Sequence, residues 1–189
     1  MNEEPIILRR LVGVDPGSNL GIVSLQEEPD GTLSCRHALT ITRPGVTPAR
    51  PRQLAELEQA RLFALFMQTE QPDECAMEEP WDVSDGWGKG GRRLGTGFRI
   101  GAAWGFAAGA IPPGIKVAFY PVRGKEGWMG RGRKDGVMLR VEHGWERNVR
   151  GVRWAELSEH EQAAAGVLLH HMGRLPAWVT GSKGQRIAA

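Results

Sequence analysis

Val12-Gly13-Val14-Asp15-Pro16-Gly17-Ser18-Asn19-Leu20-Gly21-Ile22-Val23 puts a carboxylate at the end of an apolar run and then turns at once. Leu11 to Val14 predicts a strand. Pro16 cannot donate to a sheet ladder, and Gly17 can take the positive φ that a tight turn needs. Strand patterning resumes at Gly21-Ile22-Val23-Ser24-Leu25, so the segment reads as a β-hairpin holding Asp15 at a strand mouth. An acid so placed is either a metal ligand or a side chain that stabilises its own turn.

Working outward, Asp30-Gly31 marks a turn into a third strand over Gly31 to Ile41, and antiparallel pairing is expected through this opening segment. Pro44, Pro48 and Pro51 predict an irregular connection. Gln53 to Thr69 then carries Leu54, Leu57, Leu62, Leu65 and Phe66 at near-helical spacing and predicts a helix, on which the Leu54, Leu57, Leu65 stripe reads as core or dimer surface. Cys75-Ala76-Met77 predicts a short buried strand running into Glu78-Glu79, so a second strand also ends in carboxylate. Alternation puts the two glutamates on opposite faces, and Glu78 is taken as the inward one.

Asp82 to Gly97 is a glycine-rich loop carrying Trp87, followed by a helix over Phe98 to Ala110 rich in small residues and aromatics. A strand over Ile115 to Pro121 comes next, then a basic, glycine-containing segment with Trp128 from Val122 to Arg133 and a weaker helical pattern from Lys134 to Glu146. Leu157 to Met172 predicts the last helix, opening with Glu159-His160-Glu161-Gln162. The expected organisation is one domain over residues 1–175 with a loose tail over 176–189.

The 189 residues, 41% of them hydrophobic, suffice for one full core. No apolar run approaches the ~20 residues of a membrane span, and Met1-Asn2-Glu3-Glu4-Pro5 has no signal-peptide character, so no membrane partner and a cytoplasmic location are expected. Cys35 and Cys75 stand in no disulfide or zinc spacing. The glycines end in no Gly-Lys-Ser/Thr, which argues against a phosphate-binding loop and a nucleotide cofactor. An actin-like kinase or ATPase also opens with an Asp-bearing hairpin, but this chain is too short for two lobes. The net charge of +2 hides a basic block from Lys89 to Arg153, the footprint of a polyanion such as nucleic-acid phosphate or else a solvated face.

Val14-Asp15-Pro16-Gly17 with Gly21, Met77-Glu78, Trp81 three residues on, Gly101-Ala102-Ala103-Trp104-Gly105, Tyr120-Pro121 and Gly130-Arg131-Gly132-Arg133-Lys134 occur in an order that resembles the RuvC-type Holliday-junction resolvases of the ribonuclease H-like superfamily. The resemblance runs from about Leu11 to His171. It implies an α/β fold with a mixed five-stranded sheet, three antiparallel strands first, flanked by helices. It also implies a nuclease that cuts branched DNA, most simply four-way junctions, in the cytoplasm of a bacterial cell or phage-infected host, leaving 5′-phosphate and 3′-hydroxyl ends.

A four-way junction has two-fold symmetry, so paired nicks imply a homodimer. The cofactor would be Mg²⁺, with Mn²⁺ substituting, as two ions about 3.5 to 4 Å apart. The implied ligands are Asp15 and Glu78, completed from the last helix, where the family carries two acids, or a His and an acid, three residues apart. The registers offered are Ser158 with Glu161, Glu159 with Gln162, and His160 with Ala163, and none is a complete pair. Glu159, Glu161 and Gln162 are therefore all candidate ligands, and His160 is a candidate general acid or base. Trp81 and Trp87 would stack on bases, while Lys89, Arg92, Arg93, Arg123, Lys125, Arg131, Arg133 and Lys134 would contact phosphate. Two alternatives follow from the same residues: a junction-binding protein with impaired catalysis, and a related nuclease acting on structured RNA.

Overall fold

A computed structural model describes residues 8–79, 93–122, 128–129, 134–176, 178–180 and 186–188. Its centre is a six-stranded sheet in the order β5-β4-β1-β2-β3-β6. β1 (Arg10–Asp15), β2 (Asn19–Glu27) and β3 (Leu33–Thr42) form the expected antiparallel meander. β4 (Glu74–Glu78) and β5 (Lys116–Tyr120) extend it in parallel beyond β1. The strand that sequence patterning did not predict is β6 (Val149–Arg150), a two-residue parallel pairing with β3, too short to show a period of its own. The sheet thus has six strands where five were expected.

Strand alternation divides the core into two layers. Val12, Val14, Leu20, Ile22, Cys75 and Met77 pack with Phe63 and Met67 of α1 (Arg52–Glu70) and Ala107 of α2 (Arg93–Gly109). Leu11, Val23, Leu25, Leu33 and Ala76 face the other way, onto α3 (Lys134–Asn148) and α4 (Glu159–His171). Helices therefore cover both faces of the sheet. α2 begins five residues earlier than expected, so Arg93 to Gly97 is helical rather than loop. Residues 178–180 and 186–188, within the segment expected as a tail, pair as an antiparallel hairpin of two short strands, β7 and β8.

α1 lies in the expected place but with a different face inward. Ala55, Glu56, Gln59, Ala60, Phe63, Met67 and Glu70 are buried, while Leu54, Leu62 and Leu65 are exposed. The buried polar residues are all bonded. Gln59 donates to the Ile41 and Ser18 carbonyls, Glu56 accepts from Arg52 and Arg43, and Glu70 accepts from Ser24 Oγ at 2.6 Å and Arg36 at 2.7 Å. Each offsets the desolvation that would otherwise oppose burial. A core reading of the leucine stripe fails for Leu54 and Leu65, because the face that packs on the sheet is the one carrying Phe63 and Met67 with the bonded polar residues.

Candidate active site

The register of β1 with β4 assembles the site. Val14 pairs with Met77 at the end of the parallel ladder, so the next residues, Asp15 and Glu78, stand side by side at the mouths of neighbouring strands. Both face α4, because Gly13 and Ala76, two residues earlier on their strands, do so. Gly17 does not use the positive φ expected of it; among the described glycines that conformation belongs to Gly31, Gly114, Gly151 and Gly173. At Gly31 it permits the turn into β3, whose Asp30 carboxylate accepts from the Thr32 amide at 2.9 Å.

α4 can reach the strand mouths because the sheet beneath it lacks side chains where they would obstruct it. A Cβ on Gly13 would collide with the Ala164 carbonyl, and one on Gly21 would collide with the His160 carbonyl. The helix start is fixed by a capping box, in which Ser158 Oγ accepts from the Glu161 amide at 3.3 Å and Glu161 Oε2 accepts from the Ser158 amide at 2.9 Å. Glu161 Oε1 also accepts from Thr40 Oγ1 at 2.9 Å. Both carboxylate oxygens of Glu161 are thus used, Oε2 in capping the helix and Oε1 in holding it to β3. Gln162 turns back to donate to the Leu157 carbonyl.

The residue of this helix that meets Asp15 is His160, with Nδ1 3.0 Å from Asp15 Oδ2. Its other nitrogen, Nε2, lies 3.3 Å from Asn19 Nδ2. When Nδ1–H donates to the carboxylate, Nε2 accepts from the Asn19 amide, and the ring is held at both ends. Glu159 is near enough that its negative charge opposes ionisation of Asp15. Asn19 had no role in the sequence reading; its only signal was its position between Asp15 and Gly21 in the turn. Trp128, in sequence one residue of the basic segment, donates its indole Nε1–H to Glu78 Oε2 at 3.0 Å.

Burial raises the pKa of Asp15, opposed by the hydrogen bond and charge of His160. Burial, with the charge of Asp15 second, pushes Glu78 up to about 8, the Trp128 hydrogen bond opposing it. Two carboxylates whose environment resists full ionisation are suited to a hard divalent cation, which would supply the missing positive charge. Among the described residues no group of three or more His, Cys, Asp and Glu side chains is arranged to hold a metal ion. Two neighbouring carboxylates are hard oxygen donors of the kind a divalent cation takes, with waters and substrate phosphate completing its shell.

Trp81, Trp87, Lys89, Arg92, Arg123, Lys125, Arg131 and Arg133 lie outside the described residues. Arg93 and Lys134 open α2 and α3, with side chains outside the description. Among the described residues no helix is long and apolar enough to cross a membrane.

No family model matches the sequence, and no curated relative is found by sequence comparison. In three dimensions the chain is similar to Thermus thermophilus RuvC in complex with a Holliday junction substrate, with a TM-score of 0.59 and 18% identity over 87% of this chain and 92% of that one. It is similar to the T. thermophilus RuvC structure at a TM-score of 0.57 and 19% identity, over 95% of this chain and 99% of that one. Ydc2, the yeast mitochondrial Holliday junction resolvase, matches at a TM-score of 0.52 and 10% identity, over 88% of this chain and 82% of that one. The chain carries the ribonuclease H-like fold of the RuvC-type Holliday-junction resolvases.

Proposed function

We propose that the protein is a Mg²⁺-dependent endonuclease that resolves Holliday junctions or other branched DNA by paired phosphodiester hydrolysis. The observation that carries this reading is the Asp15–Glu78 pair on adjacent parallel strands, with His160 delivered to it by the last helix, in a fold shared with a RuvC seen bound to a junction. Bound divalent cations, two per site and replaceable by Mn²⁺, would activate water and stabilise the leaving oxygen. Asp15 and Glu78 would hold them, with Glu159 at the rim.

His160 keeps one oxygen of Asp15 fixed, leaving the other for the cation, and Asn19 keeps the imidazole from turning away. Glu161 supports the site indirectly by anchoring the helix that bears His160. Hydrolysis breaks the bond between phosphorus and the 3′ oxygen, so water contributes its hydroxyl to a 5′-phosphate and a proton to the 3′-hydroxyl. Trp81 and Trp87 would stack on bases, and the basic side chains from Lys89 to Lys134 would neutralise phosphates. A homodimer would place two such sites on a two-fold-symmetric junction.

The test is cleavage of a synthetic four-way junction in Mg²⁺ or Mn²⁺ by the wild type, Asp15→Asn and Glu78→Gln. Each variant should lose at least about 100-fold in rate, the scale of removing a group that acts on the transition state. Equal rates would remove the assignment. One observation favours a second reading, a junction-binding protein with impaired catalysis: the position one helical turn beyond His160 is Ala163, with no carboxylate. Tight, junction-selective binding without nicking in either metal would select it.

A further inference from the structure

Trp128 is buried, at 2% exposure, against α4 and the inner face of the sheet. Its ring sits in a notch made by Gly166, where a Cβ would come within 2.7 Å of the indole Cε3. No other residue type leaves that space. The backbone is pinned as well, since the Trp128 amide donates to the Pro121 carbonyl at 3.2 Å and the Met129 amide to the Val122 carbonyl at 3.0 Å. Ring and backbone together aim Nε1–H at Glu78 Oε2, 3.0 Å away.

We infer that Trp128 is a positioning residue for the Glu78 carboxylate, and that Gly166 is the notch in α4 that admits it. An indole has one donor and no acceptor, so it can occupy one carboxylate oxygen and do nothing else there. With Oε2 held, Oε1 is the oxygen left for a cation. The carboxylate is then pre-oriented for a cation instead of spending binding energy on choosing a rotamer, as outer partners of metal ligands do generally. The inference rests on the proposed function for its cation, but the indole–carboxylate contact exists without one.

Two measurements test it. In ¹⁵N-labelled wild type, the Trp128 indole resonance, assigned by its loss in Trp128→Phe, should shift when Mg²⁺ is added. Trp128→Phe keeps an aromatic side chain and loses the donor together with the five-membered ring that bears it. It should bind Mn²⁺ about 10- to 100-fold more weakly by electron paramagnetic resonance, the range seen on removing outer partners of metal ligands, measured at a temperature where both proteins are folded because the cavity left by the smaller ring lowers the melting temperature. Gly166→Ala, which displaces the ring from the other side, should weaken binding similarly. An indole resonance indifferent to Mg²⁺, or a Phe variant that binds Mn²⁺ as the wild type does, overturns the inference. So does a wild type that binds no Mn²⁺. If these results hold while four-way junctions stay uncut, Trp128 remains a positioning residue and the proposed nuclease function is what fails.

Discussion

Glu78 is hard to ionise for two reasons, its burial and the charge of Asp15 beside it, and together they carry its carboxyl from 4.5 to about 8. Between those values the folded protein holds a proton that the unfolded chain has released. The associated stability is fully present below about pH 4.5 and is lost as pH rises through about 8. In metal-free buffer the melting temperature should therefore fall across that window, Asp15 adding to the trend in the same direction. Glu78→Gln should flatten the profile, and an unchanged slope in that variant would refute the account. Asp15 and Glu78 were legible in the sequence because a strand end is a local property: an apolar run, an acid, then a breaker. His160 was harder to read. Its neighbours Glu159 and Glu161 are equally polar, and only the landing point of α4 on the sheet decides which of the three meets Asp15.

That landing point belongs to whole elements. Gly13 on β1 and Gly21 on β2 let α4 press its backbone against the sheet, and Gly21 lies directly under His160. Gly21→Ala should lift the start of the helix, cost about 1 to 3 kcal/mol as overpacked sites do, and carry His160 off Asp15. Thermal melts and junction cleavage should both register the change; wild-type stability would show that the contact is not tight. The capping box predicts the opposite split. Glu161→Ala removes a cap and the Thr40 contact, and should cost about 1 to 2 kcal/mol. Residual cleavage by the folded fraction should survive it. Loss of Mn²⁺ binding in Glu161→Ala at a temperature where it is fully folded would return Glu161 to the ligand set. The pattern Ser158-x-x-Glu161 was readable as a capping box from sequence alone, but the family resemblance drew attention to its acid as a ligand.

At the scale of the molecule, the three-layer fold leaves Leu54, Leu62 and Leu65 of α1 exposed, at 52%, 48% and 59%. The succession of strands along the chain and their antiparallel opening were legible because each follows from local periodicity and turn residues, while the flanking helices came with the family resemblance. The inward face of α1 was not, because it depends on carbonyls and arginines contributed by distant strands. The exposed stripe is self-complementary. If two copies of α1 cross antiparallel about a two-fold axis between Gln59 and Ala60, Leu54 meets Leu65, Leu57 meets Leu62 and Glu58 meets Arg61, each pair occurring twice. A homodimer built this way buries the leucines and opposes unlike charges at its centre. Leu62→Glu with Leu65→Glu should sediment as a monomer at micromolar concentration and nick junction strands singly rather than in pairs. Arg61→Glu alone should weaken the dimer by setting an acid against Glu58 of the other copy. Adding Glu58→Arg should restore it, a rescue specific to this register. A wild type that is monomeric, or a double glutamate variant that stays dimeric, would show that the stripe is not the interface.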